Sequence, residues 1–230
     1  MENDTIKIGQ FSESAVLAVA KAKRLDEKYG ITCEALRVPS SPAQFEYLSS
    51  GEIDLAITSP DNVLLYATTD VNPLGRRLDL SILRAIDRGM GLALYTSEDI
   101  VEPLELKGTT FGVDVPNSGF AFLLFALAQK LGVAPGEYTL NSVGATPKRL
   151  SAIEEKAVAA TILNAETAVL ASRLGLRKWA SSVDVSDDYL GTVLAQVGAE
   201  KDSKTQKLLE IWEEATSFIL SSSNSEIVVS

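Results

Sequence analysis

The segment that decides the fold is SPAQFEYLSSGEIDLA, residues 41–56. Pro42 suits the first position of a helix, because the N–H that it lacks is one of the donors a helix start leaves unpaired. Apolar residues then recur at helical spacing as far as Gly51, where the helix is expected to end. A short strand, Asp54 to Thr58, follows. A helix that leads directly into a strand is the repeating unit of an α/β protein.

Similar units precede and follow this segment. Cap residues and glycine stops predict a helix with its N-cap at Ser12 that ends at Tyr29-Gly30, and another helix that begins at Ser59-Pro60-Asp61. The further predicted strands are Thr5–Gly9, Ile31–Val38 and Leu80–Ile86. The β-α-β-α-β-α-β order predicts a parallel sheet with helices on both faces. Within it, the nearly continuous apolar run Leu80–Ile86 is typical of a buried parallel strand.

The second half of the chain repeats this scheme after a strand at Leu92–Thr96 and an acidic stretch, where we place the first crossing between two lobes. The predicted elements are strands at Thr110–Val115, Thr139–Val143 and Ala157–Leu163, and helices at Phe120–Leu131, from Thr146-Pro147 onward, and at Ala165–Leu174. A last helix is predicted at Lys204–Leu220. We therefore predict lobe one at residues 1–95, lobe two at 96–195, and a return to lobe one at 196–230.

An internal duplication relates the two halves when Pro42 is laid over Pro147, an offset of 147 − 42 = 105 residues. Apolar and cap positions then coincide: Phe45 with Leu150, Leu48 with Ile153, Ile53 with Val158, Ile57 with Ile162, Ser59 with Asn164, and Asp61 with Glu166. The alternative is that any two amphipathic β-α units align this well.

Composition excludes several classes of function. The 230 residues are 46% apolar and 23% charged, which is the balance of an ordinary soluble globular protein. A formal net charge of −10 without clusters of Lys or Arg argues against a nucleic-acid partner. No apolar stretch approaches the roughly 20 residues of a transmembrane helix. With no histidine and one cysteine, Cys33, the chain lacks an internal disulfide, the Ser-His-Asp and Cys-His catalytic systems and the usual metal ligands, so we expect neither cofactor nor metal.

The first residues bear on the location of the protein. Met1-Glu2-Asn3-Asp4 leads directly into a predicted strand, without the basic and apolar regions of a signal peptide. We expect a cytoplasmic protein if Met1 is the native start, and a periplasmic or extracytoplasmic protein if a signal peptide has been removed.

Two segments resemble a known family. Leu48-Ser49-Ser50-Gly51-Glu52-Ile53-Asp54-Leu55-Ala56 is similar to the Leu-x-x-Gly-x-Ile-Asp-x-Ala motif of type II periplasmic binding proteins, the substrate-binding proteins of ABC importers. LKGTTFGV, residues 106–113, is similar to the entry into the second lobe of that family. The most similar group takes sulfonates, nitrate, taurine or thiamine precursors. The second lobe departs from the pattern, because Lys156 and Ala159 stand where the family usually has Gly and Asp.

This resemblance covers roughly residues 5–195. It implies a two-lobed α/β fold with mainly parallel sheets, a small organic ligand held between the lobes, and the permease of an ABC importer as a partner. The related thiamine-pyrimidine synthases use an active-site histidine. Because this chain has none, the resemblance does not extend to their chemistry.

The predicted site lies beyond the carboxyl ends of the strands, where ligands of parallel sheets collect. Each helix start there favours a negative group by about 0.3–1 kcal/mol, so several starts together predict a site for a carboxylate, sulfonate or phosphate. Six loops qualify: Gly9–Ser14, Pro39–Ser41, Thr58–Asn62, Pro116–Phe120, Gly144–Thr146 and Asn164–Glu166. The predicted ligand-binding residues are Gln10, Phe11, Ser12, Ser40, Thr58, Ser59, Asn62, Arg88, Asn117, Ser118, Gly119, Asn164 and Glu166.

Several of these residues have a second interpretation. Asn117 and Ser118 could cap a helix instead of binding a ligand. Arg88 is expected near the hinge as an anion clamp, but could instead pair with Asp87 or another neighbour. Phe11 could stack on a flat ligand or belong to the core.

Three carboxylates on the same loops favour a different ligand. Glu13, Asp61 and Glu166 would repel a simple anion and suit an amine or a pyrimidine-like heterocycle. If burial moved their pKa values apart, the same groups could act as acid and base. We therefore expect a small-solute binding protein, with two alternatives: a cytoplasmic decarboxylase, lyase or isomerase acting on a small acid, and a regulatory ligand-sensing domain.

Overall fold

The computed structural model describes residues 4–89 and 91–222. Residues 1–3, which include Met1, residue 90, and the part of the predicted 196–230 segment beyond residue 222 lie outside the described residues.

The structure consists of short strands and helices that mostly alternate along the chain. The strands are β1 (Asp4–Gln10), β2 (Ile31–Arg37), β3 (Leu55–Thr58), β4 (Leu80–Asp87), β5 (Ala93–Thr96), β6 (Thr110–Val113), β7 (Thr139–Ser142), β8 (Ala160–Leu163), β9 (Arg177–Ser181) and β10 (Thr192–Val197). The helices are α1 (Ala15–Ala22), α2 (Leu25–Tyr29), α3 (Ser41–Ser50), α4 (Pro60–Thr68), α5 (Gly119–Lys130), α6 (Thr146–Glu154), α7 (Ala165–Arg173) and α8 (Ser203–Ser221). Within the described ranges, no helix is both long and apolar enough to cross a bilayer.

The first sheet has the strand order β2-β1-β3-β10-β4. Strand β1 pairs in parallel with β2 and β3, whereas β10 runs antiparallel to β3 and β4. Helices α1 and α8 cover one face over a core that includes Ile6, Ile8 and Ile211. Helices α3 and α4 cover the other face, where the Phe45 and Tyr66 rings stack with centroids 4.0 Å apart. Burial on both faces explains why the central strands are apolar throughout.

The second sheet has the strand order β7-β6-β8-β5-β9. Strand β6 pairs in parallel with β7 and β8, whereas β5 runs antiparallel to β8 and β9. The apolar helix α5 packs on one face through Leu124 and Leu127, against Phe111 of β6. Helices α6 and α7 cover the other face through Ile153 and Ala171.

The predicted fold class is confirmed as a two-lobed α/β architecture with helices on both faces of each sheet, although the sheets are mixed, with both parallel and antiparallel pairings. In each sheet four strands run in one direction and one strand, β10 or β5, runs in the other. Both reversed strands follow directly after a crossing between the lobes, so they enter their sheets from the opposite direction.

The chain crosses between the sheets twice. It leaves the first sheet after Asp87 and joins the second at Ala93, then leaves the second at Ser181 and returns at Thr192. These changes of sheet come a few residues before the predicted lobe boundaries, 95/96 and 195/196. The exact limits of the lobes remain a prediction. The crossings lie side by side, since the N–H of Gly191 donates to the carbonyl of Asp87 at 3.2 Å.

Two predicted elements differ in the structure. The run Leu80–Ile86, predicted as a buried parallel strand, lies within the edge strand β4, where Ile82 is 45% exposed because β10 alone pairs with it. The helix predicted from an N-cap at Ser12 is capped by Ser14 instead. It divides into α1 and α2 at Arg24, whose left-handed φ of 55° interrupts the helical path.

The 105-residue offset relates elements as well as residues. Helix α6 begins 105 residues after α3 (146 − 41), β8 begins 105 after β3 (160 − 55), and α7 begins 105 after α4 (165 − 60). Strands β1 and β3 also hold the places in the first sheet that β6 and β8 hold in the second. This agreement in topology favours a duplication over a chance alignment of amphipathic units.

Candidate functional site

A cavity lies between the two sheets, beyond the carboxyl ends of β1, β3, β6 and β8. It encloses about 550 Å³ of empty space, the opening to solvent included. Its wall is formed by Phe11, Ser12, Ile57, Thr58, Ser59, Asn62, Asp114, Ser118, Phe120, Ala145, Thr146, Arg149, Asn164 and Thr192. Because both lobes contribute to the wall, the site is complete only when the lobes are together.

Seven predicted site residues lie on this wall: Phe11, Ser12, Thr58, Ser59, Asn62, Ser118 and Asn164. With Ala145 and Thr146, the wall draws on five of the six predicted loops, all except Pro39–Ser41. Two of these side chains also cap helices, since Ser59 accepts from the N–H of Asn62 and Asn164 accepts from the N–H of Thr167, both at 3.2 Å. At these positions, capping and facing the cavity are therefore compatible.

Arg88 and Glu166 do not reach the wall of this cavity. The side chain of Arg88 is 77% exposed, and its guanidinium lies 3.8 Å from the carboxylate of Asp188 in a surface ion pair. Glu166 faces solvent because the first turn of α7 buries Thr167 instead.

Four other predicted residues are also absent from the wall, and three of them, Ser40, Asn117 and Gly119, use their polar groups within the fold. Ser40 caps α3 by accepting from the N–H of Ala43 at 3.4 Å. The side chain of Asn117 donates to the carbonyl of Val71 at 3.1 Å. The N–H of Gly119 donates to the side chain of Asn62, and the side chain of Gln10 is buried at the end of β1.

One charged residue of the cavity wall that the sequence analysis missed is Arg149 on α6. It is only 2% exposed, and its Nη2 donates to Thr146 Oγ1 at 2.7 Å. Its Nε has no hydrogen-bond partner among the described residues, and the guanidinium lies 5.8 Å from the ring centroid of Phe120. Burial lowers the pKa of Arg149 to about 10, although attraction to Asp114 opposes this shift, so the group remains a cation at neutral pH. A buried cation on a cavity wall is a strong potential anchor for an oxyanion.

Asp114, also missed, follows directly after β6. It is 7% exposed, and its Oδ2 accepts from the N–H of Ser41, in the first turn of α3 on the opposite lobe, at 2.7 Å. Its Oδ1 has no hydrogen-bond partner within the described ranges. The carboxylate therefore occupies the start of α3, the position at which the sequence analysis expected the ligand's own anionic group.

Other groups are also paired across the cleft. The contacts are Gly119 N to Asn62 Oδ1 at 2.7 Å, Ala145 N to the carbonyl of Pro39 at 3.1 Å, and Asn164 Nδ2 to Ser12 Oγ at 2.9 Å. At the starts of α5 and α3, the N–H groups of Gly119 and Ser41 thus donate to acceptors of the protein instead of a ligand. Among the lining residues, the strong donor left for a ligand is Arg149.

The three carboxylates predicted to form a cationic or catalytic site do not come together. Glu13 lies 3.3 Å from the guanidinium of Arg37, and Asp61 accepts from the hydroxyl of Tyr189 at 2.9 Å. Neither is on the wall, and Glu166 faces solvent. In the described part of the chain, no group of three Cys, Asp or Glu side chains is arranged to hold a metal ion.

We expect Asp61→Asn to raise the Tm at neutral pH. Burial raises the pKa of Asp61 above its ordinary value of 3.8, and the hydrogen bond from Tyr189 offsets only part of this rise. The folded protein thus holds this proton more tightly than the unfolded chain, so the contribution to stability is present below that ordinary value and is lost as the pH rises through the folded-state value. Asparagine keeps an acceptor for Tyr189 without the charge at this partly buried position.

Thermal unfolding of both proteins between about pH 3 and about pH 7 measures this effect. The advantage of the variant should be largest near neutrality and should disappear below the ordinary pKa of 3.8. The exposed Asp188→Asn is the control and should show no such trend. An advantage that is the same at every pH would contradict the titration of a partly buried carboxylate at this position.

Comparisons with known proteins identify the architecture. No protein-family model matches the sequence, and no curated protein matches it significantly. An alkanesulfonate-binding protein from Xanthomonas axonopodis pv. citri, bound to MOPS, superposes with a TM-score of 0.75 at 16% identity, covering 95% of this chain and 75% of that one. The periplasmic nitrate-binding protein of Synechocystis PCC 6803 gives a TM-score of 0.77 at 16% identity, covering 94% and 62%.

A Prochlorococcus marinus (MIT 9301) protein in complex with methylphosphonate gives a TM-score of 0.62 at 14% identity, covering 95% of this chain and 84% of that one. The chain therefore has the periplasmic-binding-protein fold, as the two sequence segments predict.

Proposed function

We propose that the protein binds one small organic solute in the cavity between its lobes and holds it through an oxyanion group on Arg149. The observation that carries this proposal is the burial of a guanidinium whose Nε has no partner among the described residues. Burying a cation costs several kcal/mol unless charged or hydrogen-bonding groups compensate it. A carboxylate, sulfonate or phosphonate would supply both the charge and two acceptors in the planar geometry that arginine favours.

The rest of the wall suits an organic body attached to such a group. Phe11, Ile57 and Phe120 provide apolar surface, and the hydroxyl and amide groups of Ser12 and Asn164 provide orientation. This mixture of apolar lining and a few polar groups is typical of sites for small molecules. The apolar surface also disfavours a purely inorganic anion.

We further propose that the protein delivers this solute to the permease of an ABC importer, outside the cytoplasm. The support is the fold, since solved proteins of this architecture are named as binders of alkanesulfonate and nitrate, the latter periplasmic. Two lobes joined by two adjacent crossings suit a protein that closes on a ligand and reopens.

Native mass spectrometry of the purified protein, followed by thermal unfolding, tests the binding proposal. We expect one small-molecule adduct per chain, and after its removal by dialysis a rise in Tm on adding propane-1-sulfonate or 3-aminopropane-1-sulfonate. Saturation at about 100 times Kd stabilises by about 2.7 kcal/mol, which for a chain of this size raises the Tm by roughly 5–10 °C.

The same samples decide between binding and catalysis. The released compound should be recovered unchanged after incubation with the protein, as followed by NMR. Its conversion would establish an enzyme instead. The absence of both an adduct and a Tm shift would reject the proposed cavity as a solute site.

A further inference from the structure

We propose that the solute is a zwitterion, with its oxyanion on Arg149 and an ammonium group on Asp114. This inference rests on the proposed function and adds the second half of the ligand. It comes from the charges on the cavity wall rather than from the helix starts.

Asp114 and Arg149 are both more than nine-tenths buried and both line the cavity, yet they do not form an ion pair. Ion pairs are contacts within 4.0 Å, and those found among the described residues do not include these two side chains. The guanidinium and the carboxylate therefore lie more than 4.0 Å apart on the wall of one cavity.

Each of the two groups is only partly compensated by the protein. Arg149 donates to one neutral hydroxyl, that of Thr146, and its Nε has no partner among the described residues. Asp114 accepts one backbone N–H, that of Ser41, through Oδ2, while its Oδ1 has none within the same ranges. Buried charges without a full set of partners are energetically costly. A ligand that places the opposite charge next to each group would compensate both charges.

Among the described residues that line the cavity, no other charged side chain alters this balance. Besides Asp114 and Arg149, the lining residues are Phe11, Ser12, Ile57, Thr58, Ser59, Asn62, Ser118, Phe120, Ala145, Thr146, Asn164 and Thr192, all of them neutral. A simple anion would satisfy Arg149 but would be repelled by Asp114 in a medium of low dielectric constant. A simple cation would meet the reverse problem. The ligand that suits the wall therefore has no net charge and carries one group of each sign.

Calorimetry with matched pairs of small molecules on the wild-type protein tests this inference. The pairs are β-alanine with propionate, and 3-aminopropane-1-sulfonate with propane-1-sulfonate, in which only the amino group differs. We expect the amino member of at least one pair to bind at least tenfold more tightly than its partner. Equal or tighter binding by the amine-free members would overturn the zwitterion while leaving solute binding in place. Binding by none of the four would also overturn it.

Asp114→Asn isolates the carboxylate, because asparagine retains an oxygen that can accept from the N–H of Ser41. The variant should lose about tenfold in affinity for the amino compounds and should bind the amine-free anions at least as well as the wild type. Exposed Asp99→Asn, which breaks a surface pair with Lys156, should change neither. Equal weakening for both members of a pair would show that Asp114 only shapes the cleft. If the variant does not fold by circular dichroism, the wild-type comparison decides.

Discussion

Arg149→Met is expected to lower the affinity for propane-1-sulfonate and 3-aminopropane-1-sulfonate by about 100-fold or more, while the protein remains folded. Hydrogen bonds to charged groups contribute about 1.5–3 kcal/mol each. The loss of one or two of them, about 2.7 kcal/mol in total, corresponds to the hundredfold change. Methionine fills a similar length along α6 without a charge. Stability should change little, because removal of the buried cation also removes its desolvation cost.

Calorimetry and thermal unfolding of three variants separate this role from a structural one. Arg149→Lys keeps the charge but not the planar pair of donors, so it should retain part of the affinity. Arg76→Met removes an exposed arginine that pairs with Glu46 and should leave binding unchanged. If Arg149→Met loses Tm and affinity together, or binds both sulfonates normally, the guanidinium is a structural element of α6 rather than the ligand anchor.

Gly119→Ala is expected to hold the lobes apart and to weaken ligand binding by at least tenfold, about 1.4 kcal/mol. A Cβ at this position would lie 1.9 Å from Ser59 Oγ on the opposite lobe. Rotation of Ser59 would not be sufficient, because its own Cβ and that of Asp61 would still lie at 3.0 and 3.1 Å. Within its own lobe, alanine is a better helix former than glycine, so α5 should remain intact.

Small-angle scattering and calorimetry check this prediction. The variant should have a larger radius of gyration than the wild type in the presence of 3-aminopropane-1-sulfonate. Adding Ser59→Gly removes the side chain with which alanine collides, and glycine is tolerated at an N-cap with a loss of a few tenths of a kcal/mol. The double variant should therefore recover part of the closure. If the radius of gyration and the affinity of the single variant were unchanged, the starts of α4 and α5 would be able to move apart locally while the lobes still close on the ligand.

Much of the scaffold could be predicted because its signals are local. Pro42 and Pro147 mark helix starts, and the 105-residue offset matches strands and helices of the two halves. The cavity wall draws on the predicted loops for the same reason, since strand ends and helix starts determine where a cleft can form. The interruption of the first helix depends on the left-handed conformation of Arg24. The edge position of β4 depends on its pairing with β10, which is distant in sequence. Local sequence patterns show neither.

The charged part of the site could not be identified in this way. Lys148 and Arg149 are adjacent and both basic. The way α6 is rotated about its axis as it packs on the sheet buries Arg149 and leaves Lys148 exposed. A signal was present, because Arg149 falls on the same helical face as Leu150 and Ile153, where an apolar residue is expected. The role of Asp114 depends on Ser41 of the other lobe, a contact between residues 73 positions apart.

Because backbone N–H groups at the helix starts are bonded across the cleft, their hydrogen exchange reports how often the lobes open. The amide protons of Ser41, Gly119 and Ala145 are bonded to groups of the opposite lobe, so each is sheltered only while the lobes are together. The rate at which these amides exchange with deuterated solvent therefore measures opening of the lobes without an attached label. Protection that rises in concert at these three amides when a candidate ligand is added would identify it by the closure it stabilises.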